Sequence, residues 1–266
     1  MGAISNRERL LEEARKFTLM SDIFMKVALK DKVACQYVLR IIMGIEDLIV
    51  IEVRTQYEVS RITSHDARLD ILAEDSSGKL YNIEIQRSDT IDHARRTRFN
   101  GAMVDSEYLM KGKPYSELPD LCIIYISEKD IWKQNRTVYE VKSYLDDTGI
   151  RYDDGKRIIY VNAAVNDGSD IANLMAYFKT ADPDDMSHGE LSERVRFLKS
   201  EEGSELMCEV SDRIYNMGRE EGRIKSMEES AVRMHGMGMT IDVIAECLGE
   251  SADNITAWIS GKTSMA

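Results

Sequence analysis

Two short segments joined by a tight turn carry polar side chains inside otherwise apolar runs. Residues 68–74 and 79–86 have strand-like composition, and Ser76, Ser77 and Gly78 between them favour a hairpin turn. Side chains two apart on a strand share a face, so Glu84 and Gln86 project to one side while Asp70 lies on the partner strand. A buried carboxylate without a partner costs several kcal/mol. The hairpin therefore predicts a site at which two acids share a partner.

A divalent cation is the simplest partner that two neighbouring carboxylates can share. Mg²⁺ prefers hard oxygen ligands, usually takes one or two carboxylates, and completes its shell with water, which can act as a nucleophile. The pattern indicates Asp70 and Glu84 as ligands of Mg²⁺, with Mn²⁺ as a substitute, and Gln86 as the group that orients the water or a phosphate. In sites of this general mechanism, lysine usually occupies the position that Gln86 holds here and offers a positive charge. Glutamine offers only dipolar donors and an acceptor. The spacing is also common by chance, and a polar strand face is more often simply exposed to solvent.

The order of elements around the hairpin is typical of an α/β fold with a mixed central sheet flanked by helices. Helical spacing covers 6–43 and closes at Gly44, and a β-branched strand follows at 48–53. A long helix is predicted at 89–111, buried strands at 121–126 and 158–162, and helices from 170 onward. We expect a core domain at 1–200 and an acidic helical arm with a small C-terminal module at 201–266.

Charge is segregated along the chain, although the net charge is −12. Between His93 and Lys113 there are five basic and two acidic side chains, whereas 201–229 holds nine carboxylates and four basic side chains. Phosphate binding needs such local basic clusters rather than an overall positive charge. Arg96 and Arg98 are candidate contacts to nucleic acid, and the alternative is that they form a solvated helix face.

Other classes of site and location have little support. The four cysteines and four histidines are scattered, without CxxC or HExxH spacing, so we expect reduced structural thiols and no zinc site. No apolar stretch approaches the roughly 18 to 20 residues that a spanning helix needs, so we expect a cytoplasmic protein that does not bind membranes. His65 and Asp66 are more often loop residues than general bases, and Glu52 and Glu58 are candidates for a further acidic ligand.

The chain resembles the family of PD-(D/E)XK nuclease transposases, also called recombination-promoting nucleases. The resemblance is carried by segments distributed along most of the sequence: Ser21 to Lys26, Arg68 to Ile71, Asn82 to Gln86, Arg96 to Phe99, Met103 to Asp105, Gly112 to Pro119, Asp154-Gly155, Val161-Asn162 and Gly218 to Arg223. It implies a restriction-endonuclease-like core and a metal-dependent DNA endonuclease that acts in transposition or recombination. Glutamine is common at the third motif position in this family, whereas Asn100 stands where aromatic residues are frequent.

The C-terminal module permits two interpretations. Residues 241–248 and 252–259 predict two short helices around Gly249, an arrangement typical of a helix-turn-helix. The second helix offers Asn254 beside Asp253 rather than the basic side chains that read a major groove, which favours a packing or homo-oligomer module. For the whole chain, the alternatives to a DNA endonuclease are an inactive DNA- or protein-binding protein of the same fold and an RNA nuclease.

Overall fold

A computed structural model of the chain describes residues 12, 15–59, 67–86 and 92–259, with side chains described except at 56–59, 67–68, 204–205 and 208–221. Contacts divide the chain into two compact units, Met1–Cys208 and Glu209–Ala266. The domain division expected from the sequence, at 200/201, stays a prediction. Among the described residues, we found no helix with the length and apolar character needed to cross a membrane.

The first unit is built on a mixed sheet of six strands, which confirms the predicted α/β fold class. The strands are β1 (Val50–Val59), β2 (Ala67–Asp75), β3 (Leu80–Gln86), β4 (Leu121–Ser127), β5 (Val138–Val141) and β6 (Lys156–Asn162). Their order across the sheet is β1-β2-β3-β4-β6-β5. The β3/β4 and β4/β6 pairs are parallel and the others antiparallel. All seven residues of β4 are buried, as expected for a central parallel strand covered on both faces.

Helices of the first unit lie on both faces of this sheet. The helices of the described chain are, in order, α1 (Asp22–Leu29), α2 (Lys32–Met43), α3 (His93–Tyr108), α4 (Asp170–Thr180), α5 (Gly189–Leu198), α6 (Glu201–Gly236), α7 (Ile241–Leu248) and α8 (Ala252–Ile259), of which α7 and α8 belong to the second unit. Cys122 of β4 contacts Met43 at the end of α2, whereas its neighbours Leu121 and Ile123 pack in a cluster with Val104 of α3. Successive strand residues alternate between faces, so α2 and α3 cover opposite sides.

Helix α3 packs closely on the sheet through a small residue. A methyl group added at Gly101 would lie 3.2 Å from Ile123 Cδ1, which is tighter than ordinary contact. Asn100, next to it, is buried as well, with its amide nitrogen lacking a hydrogen-bond partner among the described residues. The glycine thus sets how near α3 comes to β4.

The predicted continuous helical region at the N-terminus is interrupted. Helix α1 ends at Leu29, and Asp31 begins α2 by accepting hydrogen bonds at 3.0 Å from the backbone N–H groups of Val33 and Ala34. An aspartate in this position satisfies amide donors that the first helical turn leaves free. Strand β1 is longer than the predicted 48–53, and the short edge strand β5 was not predicted.

The second unit buries a small apolar cluster of its own. Ala231 of α6, Ile244 of α7, and Ile255 and Trp258 of α8 form it. Gly249 ends α7 with φ +67°, in the left-handed region that favours glycine. The side chain of Asn254 donates to Glu250 Oε2 at 3.0 Å. An oligomer formed through these helices stays a prediction.

The turn between β2 and β3 is organised by one buried carboxylate. Asp75 Oδ1 accepts from Ser77 N (2.8 Å), Ser77 Oγ (2.6 Å) and Lys79 N (3.1 Å), and Oδ2 accepts from Tyr81 Oη (2.8 Å). Burial acts to raise the pKa of Asp75, but these hydrogen bonds outweigh it and hold the pKa below its ordinary value of 3.8. The acid thereby fixes the register of the hairpin.

We expect Asp75→Asn to lower the free energy of unfolding by about 2 kcal/mol at pH 7, because hydrogen bonds to a charged acceptor are lost. A lowered folded-state pKa gives stability that is present above the unfolded pKa and lost as pH falls through the folded pKa. The difference from the parent in urea unfolding should therefore shrink between pH 7 and pH 3. Asp146→Asn, at an exposed position, is the matched control. Equal urea midpoints for Asp75→Asn and the parent at pH 7 would contradict the role of Asp75 in the turn.

Candidate functional site

Asp70 and Glu84 face each other where the ladder between β2 and β3 stops. The last paired residues are Ile71 and Ile83, and continuing this register places Asp70 opposite Glu84. Past the Ile71/Ile83 pair, each of the two carboxylates accepts a hydrogen bond from a backbone N–H group of the other strand. Glu84 Oε1 accepts from Asp70 N at 3.4 Å, and Asp70 Oδ2 accepts from Ile85 N at 3.2 Å. The fold thus brings the two predicted metal ligands together.

Both acids are removed from solvent. The exposed fraction is 7% for Asp70 and 1% for Glu84. Charged carboxylates are rarely buried this deeply unless they are paired, because transfer from water costs far more than an ordinary hydrogen bond returns. Their burial therefore demands positive partners.

Helix α1 supplies a cation to Asp70. Lys26 Nζ lies 2.8 Å from Asp70 Oδ1 and 2.8 Å from Asp22 Oδ1, one turn earlier on the same helix. Sequence reasoning did not assign Lys26 to the site. The available signal was a charged pair four residues apart within the apolar run of Ile23, Phe24, Met25 and Val27.

Helix α3 supplies a cation to Glu84. Arg96 NH2 donates to Glu84 Oε2 at 3.1 Å, and Arg96 NH1 donates to Gln86 Oε1 at 3.2 Å. The Arg96 side chain is 42% exposed, so it lies at the border between the buried acid and solvent. One planar group therefore joins two of the three predicted catalytic side chains.

The two carboxyl groups hold protons more tightly than ordinary acids. Burial, and next the charge of Asp70, raise the pKa of Glu84 to about 7, against the lowering effect of Arg96. Burial also raises the pKa of Asp70, although Lys26 lowers it. For Lys26, burial lowers the pKa, but the charges of Asp70 and Asp22 outweigh it and raise the pKa. The ammonium group is therefore protonated at neutral pH.

An aromatic row continues from Glu84 across the sheet. Tyr125 lies beside Glu84 in register, and Tyr160 lies beside Tyr125. His93 Nδ1 lies 3.3 Å from the Tyr160 hydroxyl, and its ring meets that of Trp132 edge-on with centroids 4.9 Å apart. Because these rings cover the sheet next to the acid, they help to exclude water from it.

The other candidate residues lie elsewhere. Arg98 is exposed on α3, and contact with nucleic acid by Arg96 and Arg98 stays a prediction. Glu52 is exposed, pairs with Arg54 at 2.7 Å, and lies opposite Glu74 rather than near Asp70. His65 and Asp66 lie outside the described residues, and so does the side chain of Glu58.

The donor set suits a hard divalent cation. Asp70, Glu84 and Gln86 offer carboxylate and amide oxygens, the ligands that Mg²⁺ prefers. Each carboxylate oxygen has two lone pairs, so one hydrogen bond leaves it able to bind a cation. Burial is the largest cause of the raised pKa of each acid, and a bound cation would favour the charged carboxylates against it. Within the described part of the chain, no group of three or more His, Cys, Asp or Glu side chains is placed to hold a metal. A cation here would therefore rely on two carboxylates.

The pKa of Glu84 predicts a stability profile that can be measured in the presence of EDTA. A raised folded-state pKa gives stability that is present below the unfolded value of 4.5 and is lost as pH rises through about 7. Between pH 5 and pH 8 we expect the free energy of unfolding of the parent to fall, relative to Glu84→Gln, by on the order of 1 to 3 kcal/mol. Glu74→Gln, at a half-buried position on β2, is the control. Parallel profiles for the parent and Glu84→Gln would contradict the assignment.

Comparison with known proteins agrees with this geometry. No curated protein and no solved structure matches the chain. A family model described as PD-(D/E)XK nuclease family transposase matches residues 42–228, a span that contains the sheet, the hairpin and α3. The predicted restriction-endonuclease-like core is therefore confirmed, and the chain belongs to the PD-(D/E)XK nuclease family of transposases.

Proposed function

We propose that the protein is a divalent-metal-dependent DNA endonuclease that hydrolyses phosphodiester bonds in transposition or recombination. The observation that carries the proposal is the pairing of Asp70 and Glu84, both buried, at the point where β2 and β3 part. Membership of a nuclease family supports phosphodiester chemistry on DNA. Two facing acids have a direct use in that chemistry as metal ligands.

Asp70 and Glu84 would hold Mg²⁺, or Mn²⁺ in its place. When bound, such an ion supplies a water of lowered pKa and neutralises negative charge on the scissile phosphate. The carboxylates fix the site on two strands of the sheet, which keeps their spacing constant. Their burial in a low-dielectric surrounding strengthens their attraction for the cation.

Gln86 and the arginines of α3 would position the substrate. Gln86 Oε1 accepts from Arg96 NH1, and the amide group of Gln86 would orient the water or a phosphate oxygen. Arg96 is partly exposed and Arg98 is exposed, so both can contact the DNA backbone. Contacts of this kind place the duplex without reading its sequence. We therefore propose cleavage with low sequence specificity.

A second candidate function is binding of DNA or protein without turnover. Lys26 and Arg96 already compensate Asp70 and Glu84, so the acids have partners in the absence of a metal. A protein that had lost catalysis could retain this arrangement for stability alone. Cleavage and metal binding distinguish the two functions.

Plasmid nicking tests the proposed activity. We expect the purified protein to nick supercoiled DNA with Mg²⁺ or Mn²⁺ and not with EDTA, and Asp70→Ala or Asp70→Asn to reduce the rate at least about 100-fold because a ligand is lost. Glu74→Ala, four residues along the same strand, should cut like the parent. An Asp70 variant that cuts as fast as the parent would place the activity elsewhere, and preferential cleavage of RNA of the same sequence would favour an RNA nuclease.

The arginines of α3 can be tested by DNA affinity. Arg98→Ala should weaken binding to unrelated duplexes equally and reduce the slope of log affinity against log salt by about 1, because one phosphate contact is lost. Arg157→Ala is the control, since Arg157 on β6 pairs with Glu140 on β5 at 2.7 Å. An unchanged slope for Arg98→Ala would show that this side chain is only a solvated surface group.

A further inference from the structure

Lys26 is the more buried of the two cations that pair with Asp70 and Glu84. Its side chain is 7% exposed, although it stands on a helix that begins only four residues earlier. Lysine is almost never buried to this extent unless it is paired. The cost of removing an ammonium group from water must therefore be offset by what it contacts.

The contact with Asp70, rather than the one with the exposed Asp22, accounts for the burial of this lysine. Asp22 has a side chain that is 53% exposed, and a lysine four residues later could pair with it at the surface. Such a pair would keep the ammonium hydrated. In the structure Lys26 Nζ contacts Asp22 and also lies 2.8 Å from Oδ1 of the buried Asp70, and the lysine side chain is buried with it. The helix thus delivers a fixed positive charge to the buried acid.

The strand that carries Glu84 does not deliver such a charge itself. Gln86, two residues along β3 and on the same face, is neutral, and its Oε1 is held by Arg96. Arg96 compensates Glu84 from the solvent side, since the Arg96 side chain is 42% exposed. A compact, buried ammonium group and a partly exposed planar guanidinium are not interchangeable. Lys26 is therefore distinct in both position and chemistry.

We infer that Lys26 is a positioning residue that supplies from α1 the positive charge that Gln86 cannot supply from β3. The inference rests on the proposed nuclease function. Lys26 acts through Asp70 by fixing one oxygen of a metal-binding carboxylate and by adding a preorganised positive charge where a phosphate gains negative charge during hydrolysis. It undergoes no covalent change and transfers no proton.

The test relocates the lysine. Lys26→Met removes the charge with little change in length, and Lys26→Met combined with Gln86→Lys returns a lysine to the site from β3. Lys30→Met, at an exposed position one turn further on, is the control. For each variant we would measure nicking rate against DNA concentration, binding of Mn²⁺ alone by calorimetry, and urea unfolding.

We expect Lys26→Met to lower kcat at least about 100-fold with KM changed less than about threefold, because the charge acts mainly in the transition state. Binding of Mn²⁺ should be retained, since both carboxylates remain. The double variant should regain at least about tenfold in kcat, and Lys30→Met should match the parent. A lysine needed only for folding would change the unfolding midpoint without this pattern.

Two results would overturn the role of Lys26 alone. One is a folded Lys26→Met that cuts within about threefold of an active parent; the other is a double variant that folds and binds Mn²⁺ but is no faster than Lys26→Met. If Lys26→Met does not fold, the double variant is compared with Gln86→Lys alone. Both carry a lysine at position 86, so the inference expects similar kcat values, and a kcat at least about 100-fold lower for the double variant would reject it. A parent that never nicks DNA would instead reject the proposed function, and the role of Lys26 with it.

Discussion

The burial of two carboxylates between β2 and β3 is the constraint on which the site depends. Asp70 and Glu84 stand where the strand ladder ends, and each accepts a hydrogen bond from the backbone of the opposite strand. Two like charges buried on neighbouring strands would repel each other more strongly than in water. Lys26 from α1 pairs with Asp70, and Arg96 from α3 pairs with Glu84. Two helices on either side of the hairpin in sequence therefore contact the same site.

The sheet and the helices packed on it enclose the two acids, and this enclosure raises their pKa values. The β3/β4 pairing sets Tyr125 beside Glu84, and α3 packs against β4 closely enough that Gly101 leaves little room for a methyl group. An acid enclosed in this way retains its proton to a higher pH, as the pKa of about 7 for Glu84 shows. The same enclosure that penalises a free charge favours a bound cation, which links the stability of the hairpin to the proposed chemistry.

Local patterns in the sequence were sufficient for the fold class and for placing Asp70 and Glu84 on neighbouring strands, whereas the role of these acids as metal ligands stays a prediction. Strand alternation and the turn at Ser76 to Gly78 located the hairpin, and the spacing of Asp70 and Glu84 followed from it. Lys26 could not be placed in this way because its contact spans 44 residues and depends on how α1 docks, which no periodicity encodes. The break at Asp31 was similarly hidden, since apolar spacing continues across it and only the cap reveals two helices. Strand β5 has just four residues, too few for a periodic signal.

The central claim is that one cation bridges the two acids, and crystals soaked in Mn²⁺ test it most directly. Anomalous scattering locates manganese independently of any activity. We expect a single strong peak within about 2.5 Å of carboxylate oxygens from both Asp70 and Glu84, and its loss in Asp70→Asn. Manganese bound elsewhere, or no peak between the two acids at saturating Mn²⁺, would contradict the account.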